Sequence, residues 1–246
     1  MSARPLRRRS KRSLAVRIRI AWVLIVFALL VLGGLAYVLV TAPQFRVRSV
    51  SVRSDGTHVT SAEVLRHANI GADANLWLIH AHAVAARIET IPYVLQARVE
   101  RHPPASVLIV VTERTPSACI IGSAPVTIDA TLRVLQAGCA PPELVRIAVP
   151  AGLPPAPGTV LGDPPVAALV HDAATLAAAG LTLRSVARDR FGGLVALDAT
   201  GVTLLLGEDA DLAAKAALIG PIRQAAKRPL RVIDLRAPAT PVVTYR

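Results

Sequence analysis

The chain has 246 residues, long enough for one large domain or two modest ones that each bury a core. Its formal charge of +12 is typical of nucleic-acid-binding proteins, but eight bases lie within the first 19 residues. The other 20 bases against 16 acids leave only +4 for the rest. Aromatic residues make up 3% of the chain and offer few platforms for stacking bases. The composition therefore argues against a nucleic-acid partner.

An apolar run follows the basic N-terminal segment. It extends from Ile20 to Val40 without a charge or a proline, and as a helix it reaches about 32 Å, enough for a hydrocarbon core of ~30 Å. Trp22 and Tyr37 lie near its ends, where amphipathic rings favour the interface. The run predicts a single transmembrane helix over residues 20–40.

The charge of the N-terminal segment predicts the orientation of this helix. Residues 1–19 carry eight bases and no acid, so the positive-inside rule predicts a cytoplasmic tail and extracytoplasmic domains after the helix. We therefore expect a single-pass protein of the cell (inner) membrane. The alternative is a cleaved signal peptide, since Val40, Thr41 and Ala42 include small residues at a plausible processing position. Against it, the apolar run exceeds the ~7–15 residues of a signal core.

The segment after the helix alternates strand and helix patterns. Residues 45–53 predict a strand with a bulge or a twist at Ser49-Val50. Residues 61–67 and 80–89 predict two helices, the second closed by Pro92. Residues 94–101 and 106–113 predict two strands joined by a turn. The order is strand, helix, helix, strand, strand.

Five stretches in this segment resemble successive parts of the POTRA domain of the bacterial cell-division family FtsQ/DivIB. They are residues 45–52, 71–77, 91–94, 97–101 and 110–116. The resemblance implies an α+β fold: a single transmembrane helix, a POTRA domain (β-α-α-β-β) over 45–115, and a C-terminal mixed β domain with flanking helices over 116–246.

The C-terminal half predicts short strands separated by turns. Apolar runs at 118–121, 126–129 and 132–135 indicate a β-meander, and a proline-rich segment over 141–165 reads as an irregular crossing anchored by Leu144, Ile147, Val149 and Leu153. Further elements are helices over 166–179 and 212–226 and strands over 181–189, 194–198, 202–206, 231–236 and 241–245, the last an edge strand.

The sequence contains no set of residues for catalysis or for holding a metal or cofactor. His80 and His82, the nearest approach to a ligand pair, project about 200° apart on a helix. Glu208, Asp209 and Asp211 flank a helix start, where acids act as capping charges. Neither a nucleophile elbow nor a phosphate-binding loop occurs. We expect no enzyme activity and no small-molecule substrate.

Cys119 and Cys139 are the only two cysteines. On the outer side of a membrane such a pair can oxidise. The sequence allows either a disulfide, which needs a Cα separation below ~7 Å, or two buried free thiols.

The architecture indicates protein recognition. An edge strand offers free N–H and C=O groups to which a partner strand can add, although edge strands also simply end sheets. The resemblance implies a non-enzymatic divisome scaffold that links early and late division proteins at the septum and binds FtsB-like and FtsL-like membrane proteins. The implied partner-binding residues are Arg188, Asp189, Arg236, Val242, Val243, Thr244 and Tyr245. Alternatives are a POTRA-containing assembly or secretion accessory protein and, after signal cleavage, a periplasmic chaperone.

Overall fold

The computed structural model describes residues 12–150, 152 and 155–246. The tail residues before Arg12 and the expected anchor Leu153 lie outside the described residues. The chain divides into two compact units. One holds residues 12–53, 61–85 and 98–110 of the described chain, and the other holds residues 54–60, 86–97 and 111–246. The predicted domain boundary at residues 115 and 116 stays a prediction.

A long helix, α1, runs over Arg12–Thr41. Its part from Arg17 to Leu39 has a mean hydropathy of 2.6, and no residue of its most apolar stretch is buried. Ile20, Trp22 and Tyr37 are each more than half exposed. A helix that shows apolar side chains on all sides suits lipid, because in water it would lack a polar face. A signal sequence can have the same length and apolar composition, so these two properties do not distinguish it from a transmembrane helix.

The POTRA-type elements have the predicted order, with three strands and two helices. The sheet order is β1-β3-β2. A 3₁₀ turn at Leu76–Leu78 lies between the helices. The bounds are β1 Ser49–Ser54, α2 Ser61–Ala68, α3 Ala81–Ile88, β2 Val94–His102 and β3 Ser106–Glu113.

The first strand begins at Ser49, four residues later than the alternation from Phe45 predicts. Pro43–Phe45 forms a 3₁₀ turn instead. Val47 N–H then donates to Ala74 O at 2.9 Å, so this stretch is held by a neighbouring loop rather than by the sheet. Pro43 fixes its own φ and lacks an N–H, which favours a turn at this point.

The C-terminal elements form a nine-stranded mixed sheet with two helices. Its order is β12-β11-β10-β9-β8-β7-β4-β5-β6. The bounds are β4 Pro116–Ile121, β5 Pro125–Asp129, β6 Val134–Ala137, β7 Val145–Ala148, α4 Pro164–Ala178, β8 Leu183–Arg188, β9 Leu194–Asp198, β10 Thr203–Gly207, α5 Leu212–Ala225, β11 Leu230–Asp234 and β12 Val242–Tyr245.

The proline-rich segment contains a strand that the sequence did not predict. β7 pairs in parallel with both β4 and β8, and Ile147 stands opposite Ile120 on one side and Val186 on the other. Ile147 and Val186 are fully buried, and so is Cys119, the residue before Ile120. The segment is therefore not merely a crossing, because it supplies the strand that joins the meander to the rest of the sheet.

A disulfide reinforces the meander. Cys119 of β4 and Cys139, which follows β6, are bonded, with their Cα atoms 5.4 Å apart. Thr127 of β5 lies opposite Cys119, and its hydroxyl donates to Gly138 O at 2.8 Å. The loop that carries Cys139 is thus bonded covalently to β4 and hydrogen-bonded to Thr127 of β5.

The β6 edge of the sheet is covered by the chain itself. Gly158 N–H donates to Val134 O at 2.7 Å, and Val134 N–H donates to Thr159 O at 2.8 Å. A further bridge joins Arg133 to Val160. These bonds occupy backbone groups that an edge strand would otherwise offer to another chain.

Replacement of Ile147 by alanine tests the unexpected strand. We expect Ile147→Ala to lower the free energy of unfolding of the C-terminal sheet by about 2–5 kcal/mol, because it leaves a cavity at a fully buried position. Arg146→Ala, at the exposed neighbouring position of β7, should change it by less than about 0.5 kcal/mol. The measurement is urea-dependent pulse proteolysis of the full chain in detergent. Equal effects of the two substitutions would contradict the placement of β7.

Candidate protein-binding edge

The last strand lies at the open end of the nine-stranded sheet. β12 runs antiparallel to β11, with Val243 opposite Ile233 and Val242 opposite Asp234. No described strand lies beyond it in the sheet order. The prediction of an edge strand at 241–245 therefore agrees with the topology, with the strand itself at Val242–Tyr245.

The backbone groups of β12 point in alternating directions. Arg246 N–H donates to Pro229 O at 3.0 Å, so Arg246 faces the β11 side. Because successive residues of a strand direct their N–H and C=O groups to opposite sides, the even-numbered residues of β12 also face β11. The N–H and C=O groups of Val243 and Tyr245 then point toward the open side.

A second hydrogen bond, on the β10 side of β11, leads to the same assignment of inward-facing and outward-facing residues. Leu235 N–H donates to Leu205 O at 2.8 Å, in the direction of β10. By the same alternation Asp234 faces β12, which is where Val242 pairs with it. The hydrogen bonds near both ends of β11 thus indicate that the even-numbered residues of β12 direct their backbone groups toward β11.

The side chains of β12 divide between the core and solvent. Val243 and Tyr245 are half-buried and pack against the hydrophobic core of the sheet, whereas Val242 and Thr244 are exposed. The Tyr245 ring also lies under the Arg228 guanidinium, 4.8 Å from its centroid. The strand is therefore anchored by two side chains while its backbone rim stays open.

Arg236 follows β11 and is paired with Asp234. Its Nε lies 3.0 Å and its Nη2 2.5 Å from the Asp234 carboxylate oxygens. This forked contact lowers the pKa of Asp234 and raises that of Arg236. The Arg236 side chain is 60% exposed, so the pair lies at the surface beside the start of β12.

Arg188 is held by two acids. Both of its terminal nitrogens lie 2.7 Å from carboxylate oxygens of Asp209, and Nη2 lies 3.0 Å from Asp172. The Asp209 hydrogen bonds raise the pKa of Arg188. Burial and the nearby Asp209 charge raise the pKa of Asp172, against the opposing effect of Arg188. Arg188 is thus fixed in orientation by an intramolecular network.

Asp189 shapes a turn. Its Oδ1 accepts hydrogen bonds from the N–H groups of Phe191 at 2.8 Å and Gly193 at 2.9 Å. This turn presents Phe191, 81% exposed, at its tip, with the Arg190 guanidinium 4.6 Å from the ring centroid. Asp189 therefore has a structural role in the turn, and its predicted role in partner binding stays a prediction.

The structure brings the three predicted charged residues to one open groove of about 790 Å³. Arg188, Asp189 and Arg236 all line it, and Gly207 lies at the foot of Arg236. A Cβ on Gly207 would lie 3.1 Å from Arg236 Cγ, so the glycine allows this close approach. The four residues of β12 do not line this groove.

Lys215 of α5 is a groove residue that the sequence did not single out. It is 5% exposed, and its ammonium group donates to Leu206 O at 2.8 Å and Glu208 O at 2.6 Å. These carbonyls compensate the buried charge and tie α5 to the end of β10. A lysine at this helix position gives no sequence signal that distinguishes it from a solvated one.

Within the described ranges, no group of three or more histidine, cysteine or acidic side chains is placed to hold a metal ion. Glu208, Asp209 and Asp211 separate into different tasks: Asp209 binds Arg188, and Asp211 precedes α5 with a left-handed φ of 57°. Asp209 serves the surface network, and Asp211 occupies the N-cap position of α5 without a side-chain capping hydrogen bond.

Comparison with protein families assigns the N-terminal module. Residues 45–114 match the model of the POTRA domain, FtsQ-type. The chain carries an FtsQ-type POTRA domain. This confirms the resemblance to FtsQ/DivIB proteins that the five sequence stretches indicate, together with the predicted α+β architecture. A search of the curated proteins found no match.

The FtsQ-type POTRA domain supports a role in bacterial cell division in general. With the apolar helix at Arg17–Leu39 it indicates a membrane-anchored protein with protein partners in the divisome. FtsQ-type POTRA proteins are known as non-enzymatic scaffolds.

The Asp234–Arg236 pair gives a pH-dependent prediction. In Arg236→Gln the pKa of Asp234 should rise toward its ordinary value, because the guanidinium hydrogen bonds that lower it are lost. Arg231→Gln removes the same charge from β11 and should leave that pKa nearly unchanged. The readout is the Asp234 side-chain carbon resonance, followed by NMR as the pH is lowered.

The lowered pKa of Asp234 also determines how the stability of the protein changes with pH. The pair's contribution is present above about pH 4 and is lost as the pH falls through the Asp234 pKa of the folded protein. Arg236→Gln should weaken this dependence. An Asp234 titration that is identical in the parent and in Arg236→Gln would show that the pair does not form in solution.

Proposed function

We propose that this chain is a non-enzymatic scaffold of the bacterial divisome, linking early and late cell-division proteins at the septum. The FtsQ-type POTRA domain supports the cell-division role. The observation that carries the mechanism is the open rim of β12, where the alternation directs the backbone groups of Val243 and Tyr245 away from β11.

The proposed topology places residues 1–19 in the cytoplasm, 20–40 in the membrane, and the POTRA domain (45–115) and the C-terminal domain (116–246) outside. The unbroken apolar stretch and the basic segment before it support this orientation. A chain anchored this way holds its C-terminal sheet on the outer side at the membrane where division proteins assemble.

A partner strand can extend the sheet at β12. Two outward-pointing residues offer two N–H donors and two C=O acceptors, enough to begin a ladder with an added strand. Val242 is 62% exposed and Thr244 is exposed, so their side chains are available to the partner on the solvent face. Backbone bonds supply affinity in this mode, and side chains supply specificity.

The charged pair beside the start of β12 can set the register of that strand. Arg236 stands next to Asp234, the residue opposite Val242, so a charged residue of the partner near the start of β12 meets a fixed guanidinium–carboxylate pair. Arg188 and the exposed Phe191 lie on the same groove. We propose FtsB-like and FtsL-like small membrane proteins as the partners, as the family resemblance implies.

Backbone and side-chain contributions can be separated at Val243. Val243→Pro removes an outward N–H without removing a bond to β11, so capture of co-expressed FtsB-like and FtsL-like proteins should fall by roughly tenfold, the net value of about one hydrogen bond. Val243→Ala keeps the N–H and is the matched control, which should retain most of the capture. The measurement is affinity capture of the full chain from detergent-solubilised membranes.

Arg236→Glu tests the neighbouring charge in the same assay. It should weaken capture by a similar factor, whereas Arg231→Glu, an equal charge change on β11, should not. Retention of the disulfide and of protease resistance in each variant shows that the fold is intact. Full capture by both Val243→Pro and Arg236→Glu would overturn the edge-strand proposal.

A further inference from the structure

The 3₁₀ turn Leu76–Leu78 presents two large apolar side chains to the outside. Trp77 is 45% exposed and Leu78 55% exposed, whereas Leu76 is fully buried. The buried leucine anchors the turn in the POTRA fold while its two successors project from it. The two adjacent side chains form a small exposed apolar patch, and contiguous apolar patches can mark an interaction surface.

Asn75 ties this turn to the outer end of α1. Its side-chain amide donates to Leu39 O at 3.1 Å, and its side-chain oxygen accepts from Trp77 N–H at 2.8 Å. One residue thus caps the 3₁₀ turn and satisfies a carbonyl of the last turn of α1, where carbonyls lack partners within the helix. The turn is fixed at the helix end by hydrogen bonds.

Two other carbonyls near this helix end are satisfied locally. Thr41 Oγ1 donates to Tyr37 O at 2.7 Å, and Ala42 N–H donates to Val38 O at 2.9 Å. Satisfied carbonyls are what a helix end at the edge of a bilayer needs, because unpaired polar groups are costly there. The contact from Asn75 belongs to the same set.

The length of the apolar stretch indicates how deep in the bilayer the contact between Asn75 and Leu39 lies. Arg17–Leu39 has 23 residues, about 35 Å of helix against a hydrocarbon core of ~30 Å. Leu39 therefore lies at the outer interface, and a turn within hydrogen-bonding distance of Leu39 O lies there too. Trp77 and Leu78 are then held at the level of the lipid headgroups.

The chemistry of these side chains fits that level. Tryptophan combines a large apolar ring with an N–H donor and is enriched at membrane interfaces. Phe45 lies edge-on to Trp77 with ring centroids 5.9 Å apart, and Tyr37 of α1 is 70% exposed near the same helix end. Two aromatic rings in contact, Phe45 and Trp77, and the exposed Tyr37 ring thus come from three segments near the end of the span.

We propose that the turn Leu76–Leu78 is a second membrane contact: Trp77 and Leu78 insert into the outer interface of the bilayer and hold the POTRA domain against it. This rests on α1 spanning the membrane. The contact restricts the POTRA domain to one orientation at the lipid surface, which a flexible tether would not do.

Trp22 and Trp77 are the only tryptophans, so Trp22→Phe makes Trp77 the only one. The full-length variant is placed at one copy per phosphatidylcholine nanodisc. The acyl chains carry bromine near the headgroup, bromine near the terminal methyl, or no bromine. Trp77 should lose at least roughly half of its emission with shallow bromine and much less with deep bromine, as expected of an interfacial ring.

Two variants at one position separate lipid contact from protein contact. In the Trp22→Phe background, Leu78→Asp should at least halve the quenching by shallow bromine, because a carboxylate disfavours insertion, whereas Leu78→Met should preserve it. Retention of the chain in the disc reports α1 itself. Emission that is insensitive to bromine in retained chains, whether the ring is in water or against protein, would overturn the proposal, and so would failure of the chain to remain in the disc.

Discussion

A β-sheet that does not close on itself has two edges, and each carries backbone N–H and C=O groups that pair with whatever strand reaches them. The two edges of the nine-stranded sheet differ. The chain covers β6 with the segment around Gly158 and Thr159, through hydrogen bonds of 2.7 and 2.8 Å to Val134. At the other end β12 has no described neighbour beyond it. Of the two edges of this sheet, β12 is the one whose backbone groups are left more open to an added strand.

Two charged residues of the groove are held before a partner arrives. Asp234 fixes Arg236, and Asp209 and Asp172 fix Arg188. A side chain already held in one orientation loses little conformational entropy on binding. The side chains of Val243 and Tyr245 pack on the core, so the strand itself is positioned as well. The C-terminal edge is preorganised by contacts within its own compact unit.

The sequence predicted the elements better than their contacts. Hydrophobic periodicity and turn residues located α2, α3, β2 and β3 within a residue or two, because these patterns are local. β7 escaped prediction because its four residues lie among prolines and are too short to show a period. It exists because β4 and β8 pair with it from both sides. The first strand was placed too early because the alternation from Phe45 continues through a turn that Pro43 initiates.

In the candidate site, too, local sequence patterns predicted the elements better than the contacts between them. The strand pattern placed the last strand at an edge, and the family resemblance named the three charged residues. The acids that hold Arg188 and the carbonyls that hold Lys215 lie at distances along the chain that no local pattern encodes. Amide hydrogen exchange tests the open rim most directly. When the FtsB-like and FtsL-like partners bind the full chain, exchange at the N–H groups of Val243 and Tyr245 should slow strongly, while exchange at β6 stays the same. Partner binding that leaves these two amides exchanging at their free rate would contradict the account.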